Sequence, residues 1–256
     1  MRLCKHLQKT AELRNMYYLL RKQVLIVVAG LLALSTVQAQ NLKTLHRLER
    51  ENDPFYFGLS LGYASSYLHP SKHAIFLQND SILTAEPNRS PGYSLRLIAT
   101  ARLSKRFEVR ANPGLILGLD RSFTYTLGSR QLFEEPVQTK IIQSNIATFP
   151  FHLKFNSDRI NNFKVYVLAG VKYDIDLASN AKTRNADDLV KLKKNDFGAE
   201  VGIGFNFYLP FVTVSPEIKF SNGLSNIHAR DAALKYSSVF DQLRSRMVFF
   251  TIHLEQ

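Results

Sequence analysis

The stretch "FKVYVLAGVKYDIDL", Phe163–Leu177, decides how this chain is read. Taken at every second residue from Phe163 it is Phe, Val, Val, Ala, Val, Tyr, Ile, Leu. The residues between are Lys, Tyr, Leu, Gly, Lys, Asp, Asp. A period of two belongs to a β-strand, whose side chains alternate between faces. One face is wholly apolar, and the other carries two lysines and two aspartates. Such a strand suits a soluble lipocalin-like barrel with the apolar face inward, or a membrane barrel with that face against lipid.

The same alternation recurs along the chain. "FYFGLSLGY" (55–63), "YSLRLIATARL" (93–103), "FEVRANPGLILGL" (107–119), "FPFHLKF" (149–155), "FGAEVGIGFNFYL" (197–209), the segment 212–220 and "MVFFTIHL" (247–254) each separate an apolar from a polar set. This makes eight strands, the stretch 122–145 being the hardest to apportion. The links between them alternate in length. Ser104–Arg106, Asn156–Asn162 and Leu209–Phe211 are short, whereas Ser66–Pro91, Arg121–Val137, Ala178–Asn195 and Asn222–Arg244 are long. Short turns at one end and long loops at the other mark an outer-membrane barrel with an even number of antiparallel strands.

That pattern selects the lipid-facing reading. Backbone polar groups cannot be left unpaired in hydrocarbon, so only helices and closed barrels span it. The expected fold is all-β: an eight-stranded antiparallel transmembrane β-barrel over residues 55–256. Aromatic residues near strand ends (Phe55, Tyr93, Phe163, Tyr173, Phe207 and Tyr208) read as interface girdles. An eight-stranded lumen is narrow enough for side chains to fill it. Glycines at 170, 198, 202 and 204 leave room there for bulky neighbours. The polar faces bring Lys172, Asp174, Asp176, Glu200, Glu217, Lys219, Arg96 and Arg110 inside, where lone charges are costly and a network of ion pairs is expected.

Ahead of the strands, Arg21 and Lys22 precede the uncharged run "VLIVVAGLLAL" (24–34) and then "STVQAQ". A basic start, a short apolar core and small residues at Val37 and Ala39 read as a secretory signal peptide over 1–39, with Met16 an alternative start. The run is about half of the ~20 residues a spanning helix needs. Residues 40–54 read as a short periplasmic segment, with Leu42, Leu45 and Leu48 suggesting a short helix or arm. The single cysteine, Cys4, lies in the leader. The formal charge is +12; six of the 33 Lys/Arg and one of the 21 Asp/Glu precede Gln40, so the mature chain carries +7. Export argues against nucleic acid as the partner and for lipid head groups or an acidic surface.

Motifs for chemistry are missing. There is no phosphate-binding glycine loop and no HExxH. His69 and His73 flank Pro70, which opposes the helix that would pair them on a metal. His152 and His253 fall on polar strand faces with no Ser–His–acid spacing around them. No catalytic residue, cofactor, metal or small-molecule substrate is expected. A small passive porin or surface-adhesion barrel fits these residues, as does a barrel that works through partner contacts.

From Phe149 onward the wording becomes specific. "SDRINNF" (157–163), "YVLAGVKYDIDLASNA" (166–181), "FYLPF" (207–211) and "SPEIKFSNGL" (215–224) together resemble the PorT (SprT) family of Bacteroidetes outer-membrane proteins. The resemblance is close over about 80 residues; the first half matches by pattern alone. It implies a non-enzymatic barrel needed for protein secretion by the type IX system, tied to gliding motility in gliding species. Its implied partners are the outer-membrane bilayer and other type IX secretion components. The positions it singles out for partner contact are the turn residues Ser157, Asp158, Arg159, Asn161 and Asn162, and the loop residues Ser179 and Asn180.

Overall fold

Apolar–polar alternation makes strands, and strands in a bilayer must leave no edge unpaired. A computed structural model of the protein describes residues 44–73, 82–128, 135–179, 190–229, 234 and 236–256. It contains ten strands: β1 (Phe55–Lys72), β2 (Ile82–Asn88), β3 (Ser90–Arg102), β4 (Phe107–Ala111), β5 (Gly114–Leu127), β6 (Val137–Asn156), β7 (Phe163–Asp176), β8 (Asn195–Tyr208), β9 (Thr213–Gly223) and β10 (Phe240–Glu255). All pairings are antiparallel. β4 and β5 each bridge β3 and β6, so they are two halves of one wall strand. β2 continues β3 along β5. The ten pieces therefore form an eight-membered ring, closed where β1 pairs with both β10 and β3. No helix among the described residues is long and apolar enough to cross a membrane; the crossing is made by strands.

The break between β4 and β5 falls at Pro113, which has no N–H for the ladder. The wall stays bonded there because Leu97 N–H donates to the Pro113 carbonyl at 2.8 Å and Asn112 N–H to the Pro150 carbonyl at 3.2 Å.

Orientation follows from burial. On β7, Val171 is 46% exposed and its neighbour Lys172 is 1% exposed. Within the apolar band most valines, leucines and phenylalanines of the wall strands look outward and the lysines and carboxylates look in, with Leu168 and Phe249 turned to the lumen. Two aromatic belts bound the apolar band. Near the short turns Phe107 packs on Phe155 and Phe163 on Phe207, each at 5.2 Å between ring centres. At the other end Tyr63 meets Tyr93 edge-on at 6.3 Å, and Phe149, Tyr173 and Phe197 share one register row. Phe163 and Tyr173 are ten residues apart on β7. At about 3.3 Å per residue and a tilt of about 40°, that spans about 25 Å, the height of an outer-membrane apolar band. Tyr208 departs from the expected girdle: its parity turns it inward, where it is buried under Arg159 at 4.1 Å.

Beyond the outer belt the polarity of the wall reverses. In β5, Leu115 and Leu117 look outward and Ile116 inward. A bulge at Gly118 (φ +72°) then adds one residue, and the register against β6 shifts between Ile116 and Leu119. One extra residue exchanges the faces. Leu119, Phe123, Tyr125 and Leu127 now point inward, and Asp120, Ser122, Thr124 and Thr126 outward. Phe123, Tyr125 and Leu127 join Leu68, Ile82, Leu192, Ile227, Tyr236 and Phe240 in a buried apolar cluster that fills the outer mouth, and Leu119 packs just below it with Ala64, Ile116, Ile146, Met247 and Phe249. Much of the expected loop Arg121–Val137 is thus strand. The outer end stands in water and is built as a soluble protein is, apolar side inward.

The expected signal peptide, residues 1–39, lies outside the described residues. Of the segment 40–54, expected as a short helix or arm, residues 44–54 are described and form an arm whose regular structure is three residues of 3-10 helix, Glu49–Glu51; Leu42 lies outside the described residues. Leu45 and Leu48 are exposed, and Arg50 is the buried side chain.

Candidate functional site

The lumen is the chemically richest region. Among the described residues, eight buried Lys/Arg face seven buried Asp/Glu, so the interior is close to neutral. Charges this deep persist only when paired and hydrogen-bonded. Arg110 on β4 is at the centre. Its Nη1 donates to Glu217 Oε2 at 3.0 Å and its Nη2 to Glu255 Oε1 at 2.9 Å. β4 and β9 lie opposite each other in the ring, so the Arg110–Glu217 pair crosses the full width of the lumen. Tyr166 O–H donates to the same Glu217 oxygen at 2.8 Å, and His253 Nε2 lies 3.1 Å from it. Tyr166 reaches inward because its register partner is Gly204; a Cβ there would stand 2.3 Å from the ring.

Two further clusters flank this one. Glu108 accepts from Tyr56 O–H at 2.7 Å, with Lys154 Nζ at 3.3 Å and Arg102 at 3.4 Å. Glu200 lies 2.8 Å from Lys219 Nζ and 2.7 Å from His152 Nε2. Nearer the outer mouth Lys172 pairs with Asp174 at 2.5 Å. A cavity of about 20 Å3 beside Arg121, Asp174, Asp176 and Asp196 has room for about one water.

The sequence-derived lumen set divides accordingly. Arg110–Glu217, Lys219–Glu200 and Lys172–Asp174 stand as three ion pairs. Arg96 makes no ion pair among the described residues; its guanidinium lies 4.3 Å over the Phe249 ring. Asp176 accepts from Ala178 N–H at 3.0 Å. Two central residues, Arg50 and Glu255, were not singled out from sequence. Glu255 was readable, since Thr251, His253 and Glu255 keep one parity against Ile252 and Leu254. Arg50 had no such signal.

Arg50 closes the periplasmic mouth. Its Nη2 donates to Glu255 Oε2 at 2.5 Å, its Nη1 to the Glu255 carbonyl at 3.1 Å, and its guanidinium lies 4.3 Å over Tyr56. Arg102 Nη1 in turn donates to the Arg50 carbonyl at 2.6 Å. The segment bends sharply at Arg47 (φ +55°), a left-handed conformation that costs a non-glycine residue about 1–2 kcal/mol.

The turn 157–162 buttresses the same mouth. Arg159 Nη2 donates to the His46 carbonyl at 2.5 Å, and His46 N–H donates to Asn162 Oδ1 at 2.9 Å. Asn161 sits at φ +54°, a backbone conformation that Asn tolerates in turns. Ser157 Oγ accepts from Val165 N–H at 3.1 Å, and Asp158 pairs with Arg106 at 2.9 Å on the surface. Ser179 Oγ donates to the Leu192 carbonyl at 2.8 Å. Asn180 lies outside the described residues. The turn's polar residues therefore bind this chain's own backbone and neighbours, and Arg159 and Asn162 grip its N-terminal segment.

No group of three or more His, Cys, Asp or Glu suited to a metal ion occurs among the described residues.

The family of outer membrane protein beta-barrel domains matches residues 38–229. No curated protein matches the sequence. Among solved structures, the chain is similar to Neisserial surface protein A (12% identity, 79% of this chain and 97% of that one, TM-score 0.41). It is also similar to the attachment invasion locus protein Ail of Yersinia pestis (11%, 80% and 100%, 0.37) and to OprG of Pseudomonas aeruginosa (13%, 77% and 94%, 0.40). With lipid-facing walls, two aromatic belts and a matched family domain, the chain belongs to the outer membrane protein beta-barrel domain family and is an integral protein of the outer membrane.

Proposed function

We propose that the protein is a non-enzymatic component of type IX protein secretion, acting through partner contacts on its periplasmic rim. The observation that carries this reading is the rim itself. Ile160, at the tip of the "SDRINNF" turn, is 70% exposed, and Phe211, at the tip of "LPF", is 92% exposed. Several polar groups of the first turn are engaged within the chain, and Ser157, Asp158 and Asn161 stay exposed around Ile160, so an apolar tip stands within a polar surround, as the core and rim of a protein interface do. The resemblance of residues 149–227 to the PorT family supports a secretion role, and extends it to gliding in species that glide.

Deletion of the gene is expected to trap secreted cargo in the periplasm while leaving uptake of small solutes unchanged. Complementation with an Ile160→Asp/Phe211→Asp variant is expected to restore the barrel in the membrane without restoring release. Normal cargo release in the deletion strain overturns the reading. The competing passive porin meets the Arg110–Glu217 pair across its lumen, and steady openings of purified protein in planar bilayers would favour it.

A further inference from the structure

The outer wall over β8, β9 and β10 is not smooth. Ala199 stands among larger neighbours, and a groove of about 400 Å3 opens there over Ala199, Val201, Phe220 and Val248. Asn222, Tyr67 and Arg246 form its upper rim. Directly above lies a polar recess of about 240 Å3, lined by His69, Ser71, Gln242, Arg244 and Arg246. Arg246 belongs to both, so the two are one continuous feature running from apolar to basic.

Its height is set by the register. Ala199, Asn222, Arg246 and Tyr67 are successive partners across β8, β9, β10 and β1. They occupy the arc between the Tyr63–Tyr93 contact and the Tyr173–Phe197 row, which mark the outer edge of the apolar band. The groove floor is therefore level with the acyl chains of the outer leaflet, and the arginines stand at its head groups.

The two arginines of the rim have no carboxylate partner among the described residues. Above the belt the outward positions of β1 are Ser65, Tyr67, His69 and Ser71, and those of β10 are Asp241, Gln242, Arg244 and Arg246; Asp241 sits at the bulge at the far end of the row and forms no ion pair with either arginine among the described residues. Arg246 Nη1 donates to Tyr67 Oη at 3.4 Å and Arg244 Nη2 to Gln242 Oε1 at 3.4 Å; neither pairs with a carboxylate among the described residues. Two guanidiniums one rung apart on the same strand face, about 7 Å along the chain, match a phosphate by fork geometry as well as by charge. A soluble anion would have no use for the apolar floor, and a purely apolar ligand none for the arginines.

We propose that this feature binds a phosphate-bearing lipid of the outer leaflet, of the lipid A class. An acyl chain lies along Ala199, Val201, Phe220 and Val248, and a head-group phosphate sits on Arg246 and Arg244. The site is separate from the periplasmic rim and does not depend on the secretion reading.

Titration of labelled lipid A onto the full barrel in detergent micelles tests it, with dephosphorylated lipid A and inorganic phosphate as the other arms. Lipid A is expected to bind, its dephosphorylated form to bind more weakly, and inorganic phosphate at lipid-equivalent concentration not to displace it. Arg244→Ala/Arg246→Ala is expected to weaken binding about thirtyfold, two basic side chains acting at an anionic lipid surface. Ala199→Phe fills the floor, leaves both arginines, and is expected to weaken binding about tenfold; heat-modifiable gel mobility verifies its folding. Arg106→Ala, at the opposite mouth, is expected to change nothing. Equal affinity for the phosphorylated and dephosphorylated lipid, full affinity in both variants, or displacement by inorganic phosphate alone would each overturn the proposal.

Discussion

Arg110 holds two carboxylates from far strands; without it Glu255 keeps Arg50, but Glu217 keeps only Tyr166 and His253 as close partners among the described residues. Arg110→Ala leaves Glu217 and Glu255 buried beside each other. Removing one member of a buried ion pair costs about 3–5 kcal/mol, and urea unfolding of the barrel in lipid vesicles is expected to show a loss of that size. Arg110→Met/Glu217→Leu is expected to recover much of it, because an apolar pair of similar volume carries no desolvation cost. Gly204 is the second sensitive residue. Gly204→Ala drives a methyl into the Tyr166 ring, and overpacking of this kind costs about 1–3 kcal/mol. In the same assay Gly204→Ala/Tyr166→Leu is expected to be no less stable than Tyr166→Leu alone, the two sites sharing one contact.

Among the elements, β5 does something its sequence conceals. Its lower half obeys one parity and its upper half the other, and Gly118 is the hinge between them. Deleting Gly118 restores a single parity and turns Phe123 and Tyr125 out into water. The expected result is an outer end that trypsin and chymotrypsin cut readily, on a barrel whose membrane band keeps its heat-modifiable mobility. The N-terminal segment is a second element with its own test. Arg50→Ala is expected to leave the barrel folded while making residues 44–54 accessible to trypsin, as read by cleavage at Arg47. These two elements also show what sequence reading reaches. Period-two patterning placed the walls and their outward faces, since burial in lipid acts on every residue of a strand alike. It did not reach the upper half of β5, because one inserted residue inverts the signal and a window across it averages to none. Nor did it reach Arg50, whose burial is set by its contacts to Tyr56 and to Glu255, the latter 205 residues further on.

At the scale of the whole molecule, the barrel is two constructions stacked end to end. Within the membrane band charge fills the inside; beyond the outer belt an apolar cluster does. With opposite walls joined by Arg110 and Glu217 and the periplasmic mouth occupied by Arg50, purified protein in planar bilayers is expected to remain silent, and steady unitary currents would contradict that arrangement. The grip of Arg50 on Glu255 has a temporal meaning as well. Glu255 is positioned by the pairing of the last strand with the first, at Gly58. Until that seam zips shut, Arg50 has no fixed carboxylate to seize, so the docked N-terminal segment is a receipt for completed assembly, legible from the periplasm.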